Sequence, residues 1–171
     1  MTARFLLLMA LCSGLIFTSC KKTIENNPEY QVSYGVFKKF KGSSGNSYRY
    51  VVATSSWVGI STETTITVRA GKVTGRSYIQ RRVTATPGVS VISAQWEETE
   101  ATLNTHETGA ATRTLDAIYE QAKNDWLKKR ADATTYFETN NDGMISNCGY
   151  VPDGCADDCF VGITITKIER L

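Results

Sequence analysis

Apolar positions along the chain change their period several times, and each change marks an element. A nearly uninterrupted apolar run, Phe5 to Phe17, comes first, and the polar stretch Lys21–Pro28 follows it closely. From Glu29 to Lys41, Val32, Val36, Phe37 and Phe40 fall at helical spacing, with Lys38, Lys39 and Lys41 toward the carboxyl end. They predict an amphipathic helix, stopped by Gly42-Ser43-Ser44-Gly45-Asn46. The period then drops to two. Tyr48–Val58 sets Tyr48, Tyr50 and Val52 on one face, and Thr62–Ala70 sets Ile66 and Val68 inward with Thr65, Thr67 and Arg69 outward. Ala70-Gly71-Lys72 predicts a tight turn into a third strand, Lys72–Arg82, and the three form an antiparallel meander. Beyond the turn Thr86-Pro87-Gly88, Val89–Glu98 predicts a fourth strand, and the polar Glu100–Thr112 a long loop.

Helical spacing returns in Leu115, Ile118, Tyr119, Ala122 and Trp126, with Thr114 as cap, Asp116 in the first turn and an end near Lys128-Lys129-Arg130. Two strands, Ala133–Glu138 and Met144–Val151, flank the turn Asn140-Asn141-Asp142-Gly143. A cysteine-bearing loop, Pro152–Cys159, leads to a closing strand, Phe160–Glu169. The pattern predicts an α+β fold: an antiparallel β-sheet with a helix packed across one face and an additional amino-terminal helix. One domain spans residues 29–171, and strand order is left open.

The opening run changes the picture of where this domain works. Arg4 before a nearly uninterrupted apolar region of 13 residues, then Thr18-Ser19-Cys20, has the layout of an export signal. A helix of that length spans about 20 Å, short of a bilayer core of roughly 30 Å, which argues against a transmembrane anchor. Phe17-Thr18-Ser19-Cys20 resembles the lipobox of bacterial lipoproteins; an ordinary secretory signal is the alternative. The resemblance implies that residues 1–19 are removed. Cys20 would then carry a diacylglycerol and an acylated amine, palmitate being a typical chain, with residues 20–28 as a lipidated tether. Several acyl chains hold a protein on a membrane stably, where one does not. Lys21, in place of an inner-membrane retention aspartate, favours the outer membrane, on its periplasmic side or at the surface.

Composition adds two constraints. Arg4 is the one charged residue of the leader, so the remaining 152 residues hold 18 basic and 17 acidic side chains, a balance that gives no support to nucleic-acid binding. Cys148, Cys155 and Cys159 remain after Cys12 leaves and Cys20 is lipidated. In an oxidising compartment they predict one disulfide and one leftover thiol. All three pairings are open, and one from Cys148 would tie the loop back to a strand.

The order of the pieces carries a second resemblance. Tyr48-Arg49-Tyr50-Val51-Val52, then the turn Val68-Arg69-Ala70-Gly71-Lys72-Val73, then the Thr114-initiated helix, then Thr134-Thr135-Tyr136-Phe137-Glu138 and its hairpin, resemble a family of small secreted bacterial domains, domain of unknown function 6174. The resemblance covers Tyr48–Glu169 and implies the fold and the compartment, with no catalytic residues to carry over. Ala85–Ala111 is longer than in that family, and the cysteine-rich loop is an addition.

Candidate chemistry is sparse. The three cysteines lack the paired Cys-x-x-Cys spacing of structural zinc sites, and Asp157 and Asp158 beside Cys159 oppose a reactive thiolate, so a structural disulfide is the expectation. Glu138, Asn140 and Asp142 echo a calcium loop, but its twelfth position is Gly149 rather than a glutamate, and a hairpin turn accounts for the pattern. No metal or cofactor is expected. His106, the only histidine, lies in a polar segment, and Glu97 and Glu98, adjacent on a strand, point to opposite faces. Trp57 and Trp96, with Arg69, Arg76, Arg81 and Arg82 along one hairpin, form a candidate interaction patch. The leading expectation is a non-enzymatic, lipid-anchored envelope protein that binds a protein partner. The alternatives are a hydrolase using His106 with a distant carboxylate, and a carrier or chaperone for apolar ligands with a cavity between helix and sheet.

Overall fold

A computed structural model describes residues 24–171. The stretch read as an export signal, Cys20 and the first residues read as a tether lie outside the described residues. The fold is α+β, as the alternation of periods predicts. Helix α1 (Asn27–Ser43) precedes strands β1 (Tyr48–Ser56), β2 (Ile60–Arg69), β3 (Lys72–Val83) and β4 (Ser90–Thr99). Helix α2 (Leu115–Gln121) follows, then β5 (Ala133–Glu138), β6 (Asn147–Pro152) and β7 (Val161–Arg170). The strands form one seven-stranded antiparallel sheet in the order β4-β3-β2-β1-β7-β6-β5. The first meander and the last three strands thus meet at the centre, where the closing strand pairs with the first.

One face of this sheet is covered. Tyr48, Tyr50 and Val52 of β1, Ile66 and Val68 of β2 and Ile165 of β7 are buried with Phe37 of α1 and Leu115, Ile118 and Tyr119 of α2. Each such side chain contributes about 1.5–3 kcal/mol by leaving water. Tyr119 is the centre of this layer. Its ring stacks on Phe37 at 5.0 Å, while its hydroxyl shares a 2.7 Å hydrogen bond with Ser33 Oγ and accepts from the Ile145 amide at 3.0 Å. Tyr30 Oη donates to the Tyr119 carbonyl at 3.0 Å, and Lys41 reaches Asp116 at 2.6 Å, so α1 is bound to α2 along its length. Burial pushes the Tyr30 and Tyr48 phenols up to about 12.

Several expectations are corrected. The fold takes in the chain from Ile24, which is buried and bridges to Lys128, while Glu25 N donates to Leu127 O at 2.8 Å. The tether read as residues 20–28 therefore ends sooner, because one apolar residue in a polar run finds a seat. The buried stripe of α1 is Tyr30, Ser33 and Phe37, and Val32 is exposed. The second helix is α-helical only to Gln121 and widens into a π turn over Ala122–Trp126, whose carbonyls Arg130 caps. Met144 and Ile145 are buried in the turn preceding β6 rather than in a strand.

Candidate functional site

The sheet is not continuous at its centre. Pairing of β1 with β7 shifts register between Val51 and Val52 and ends at Val52 opposite Ile165. Beyond that point Ala53–Ser56 pair only with β2, and Val161–Thr164 pair only with β6. Two strand edges therefore face each other across a cleft. On the helix side the cleft is a cavity of about 460 Å³ walled by Tyr50, Val52, Tyr78, Ile118, Trp126 and Ile163, with hydroxyls from Thr54, Thr62, Thr64 and Thr108. On the opposite side it widens to about 750 Å³ against Ser55, Glu63, Phe160 and Thr166. Ser56 Oγ donates to Asp158 Oδ2 at 3.1 Å across its mouth.

Local sequence explains both walls. Gly149 and Gly162 are directly opposed on β6 and β7, and a Cβ on Gly162 would lie 2.2 Å from the Cys148 carbonyl. Only glycine lets β7 sit this close to β6, with the Phe160 ring laid over the pair, and that draws β7 away from β1. The other wall is the Glu100–Thr112 segment, which folds back onto the sheet rather than forming a loose polar loop.

An ion pair holds that segment. Arg76 and Glu98, with side chains 4% and 0% exposed, form a bidentate bridge with both contacts at 2.8 Å. Arg76 also donates to the carbonyls of His106 at 2.7 Å and Ala110 at 3.2 Å. Glu98 accepts the amides of Asn104 at 2.9 Å and His106 at 2.8 Å. The Arg76 guanidinium, with those amides, holds the Glu98 carboxyl well below the usual carboxylate range in spite of its burial. Trp96 completes the cluster, stacked between Tyr78 at 5.2 Å and the His106 ring at 4.3 Å, with Arg76 4.7 Å over its face. Gly109, at φ 89°, lies where any Cβ would press on Trp96, Tyr78 and Thr64.

The residues singled out from the sequence are thus dispersed. Arg76 is a core ion-pair partner and cannot belong to a surface patch. Trp96 is half-buried beside it. Trp57, 78% exposed, and exposed Arg82 share one end of the sheet with Arg81, which pairs with Glu63 at 2.9 Å; exposed Arg69 lies at the other end. His106 has a carboxylate beside it, Glu98 Oε1 at 3.1 Å from its Nδ1, but that oxygen is engaged by Arg76 and the His106 amide, and His106 does not line the cleft. Glu97 is exposed and Glu98 buried, on opposite faces as their adjacency requires.

Cys155 and Cys159 lie at disulfide distance, with Cα atoms 6.2 Å apart. Of the three open pairings, neither of the two that involve Cys148 is formed. Cys148 points into the core as a free thiol, opposite Ile163, and burial pushes its pKa up to about 12. Among the described residues, no three His, Cys, Asp or Glu side chains cluster to hold a metal ion, and no helix is long and apolar enough to cross a membrane. The cleft and the Arg76–Glu98 cluster were missed in the sequence; the shared strand parity of Arg76, Tyr78, Trp96 and Glu98 was the available signal. Neither protein families, curated proteins nor solved structures yield a match to this chain.

Proposed function

We propose that this is a lipid-anchored protein of the bacterial envelope, on the outer membrane, that binds an extended segment of a partner protein in the cleft between β1 and β7. The single observation that carries this reading is the pair of strand edges, Ala53–Ser56 and Val161–Thr164, left without each other as partners above apolar and threonine-lined walls. Unpaired edge amides and carbonyls are met by another backbone, and the alternating side chains of that strand would fill the two sides of the cleft. The Cys155–Cys159 pair fits an oxidising compartment. The Thr18-Ser19-Cys20 motif supplies the anchor.

A photo-crosslinker at Ala111 or Ser55, which line the cleft, is expected to capture one envelope protein. The same crosslinker at exposed Glu120 on α2 should not capture it, and Ala111→Trp, which fills the cavity, should abolish capture. A stoichiometric apolar small molecule in the purified protein, with no position-dependent crosslink, would favour the carrier instead. Turnover of an envelope substrate that disappears in His106→Ala would favour the hydrolase.

A further inference from the structure

We infer that the end of the sheet carrying Trp57 rests on the bilayer surface as a second, non-covalent membrane contact. The β1–β2 turn presents Trp57 and Val58, 78% and 54% exposed, and the adjoining ends of β3 and β4 present Val83, Val91 and Ile92 at 50–56%. These are neighbours: Val83 N donates to Gly59 O at 2.8 Å, and Arg82 and Arg81 are register partners of Val91 and Ile92. Scattered exposed valines need no explanation, but a tryptophan with four aliphatic side chains and an exposed arginine at one tip is the make-up of a membrane-interface contact.

The chain's own path names the occupant. Ile24 bridges to Lys128, and Lys128–Asp132 lead into the start of β5. Asp132 O accepts from Asp153 N just past the end of β6, and Asp158, just before β7, is bonded to Ser56 at the end of β1, beside Trp57. The amino-terminal entry and the apolar tip therefore lie at the same end of the sheet. Four residues from Ile24 back to Cys20 reach at most about 14 Å. With Cys20 acylated, that end cannot stand far from the headgroups, so the tip meets lipid with little further loss of freedom. Arg82, Lys128 and Lys129 at this end are offset by Asp153, Asp157 and Asp158, all exposed, so apolar contact rather than charge drives the docking. This inference takes the membrane from the anchor reading above, and it is testable without the lipid.

In vesicles of phosphatidylethanolamine and phosphatidylglycerol, acyl-brominated lipids are expected to quench the acylated protein but not its Trp57→Phe variant, since Trp126 is buried and Trp96 is stacked within the fold. The mature chain with Cys20→Ser is expected to float weakly with the same vesicles, with little dependence on salt. Trp57→Ala with Ile92→Ser should reduce that binding about tenfold while leaving circular dichroism unchanged. The same fractional loss of emission in wild type and Trp57→Phe on going from unbrominated to brominated vesicles would overturn the inference, and so would blue-shifted but unquenched Trp57 emission, which marks a protein contact instead. Failure of the anchor reading is read separately, as an unacylated amino-terminal peptide by mass spectrometry.

Discussion

Under α1 and α2, strands β1, β2 and β7 bury Tyr48, Tyr50, Ile66, Val68 and Ile165 against Phe37, Tyr119 and Leu127, whereas on β3 and β4 the same face of the same sheet buries Arg76 and Glu98 beneath a folded-back segment. The first region is held by apolar area and aromatic stacking, with each phenol given a partner. The second is held by one ion pair whose remaining donors and acceptors are spent on the backbone of residues 104–110. Replacing a buried ion pair by hydrocarbon is often tolerated elsewhere, but here the pair is also the hydrogen-bond partner of a loop that has no secondary structure of its own. The difference teaches that the wall of the cleft depends on charge, while its floor depends on packing.

The most damaging way to break this contrast is Glu98→Ala, which leaves Arg76 buried and unpaired. We expect a loss of about 3–5 kcal/mol in urea unfolding, with Trp96 emission changing before that of Trp126. Glu98→Leu combined with Arg76→Leu should recover only part of it, because the amides of Asn104 and His106 lose their acceptor. In the aromatic half, Tyr119→Phe keeps the ring but removes the hydroxyl that serves Ser33 and Ile145. That should cost about 1–3 kcal/mol, with Trp96 and Trp126 reporting together.

Acid and alkali should separate the two regions. Glu98 has a depressed pKa in the fold, so its stabilisation is complete above its ordinary value of 4.5 and is lost as the pH falls below it. Tyr30 and Tyr48 are raised from 10.0 to about 12, so their contribution is complete below pH 10 and is lost as the pH rises toward 12. Acid therefore loosens the β3–β4 side first, and alkali the helix-covered side, as a titration followed by circular dichroism and the two tryptophans will record. The smallest effect is expected from Cys155→Ser with Cys159→Ser. Opening a loop this short costs no more than about 2 kcal/mol and should leave both regions intact by exchange.

The same contrast separates what could be read from residues alone. Strands β1 and β2 are visible in Tyr48, Tyr50, Val52, Ile66 and Val68, since a half-buried strand must alternate, and the turn at Asp142-Gly143 is visible because both residues adopt positive φ. Arg76 and Glu98 are invisible in that language: on an alternating pattern a charged residue marks the solvent face, and only pairing makes its burial tolerable. The cleft was equally hidden, because it arises from a register shift at Val51–Val52 and from the Gly149–Gly162 pairing, both of which need β7 in place. Ile24 and Cys148 carry the same lesson in small. A lone apolar residue in a polar run, and a cysteine near two others, were settled by which seat in the core was open.

Amide exchange across acid pH tests the division most directly. Protection factors at Asn104, His106 and Ala110 are expected to fall about tenfold for each pH unit below about 4.5, while those of Tyr50 and Ile66 hold. Loss of protection at both sets together, or retention at both down to pH 2, would contradict a sheet whose two regions are held by separate chemistries.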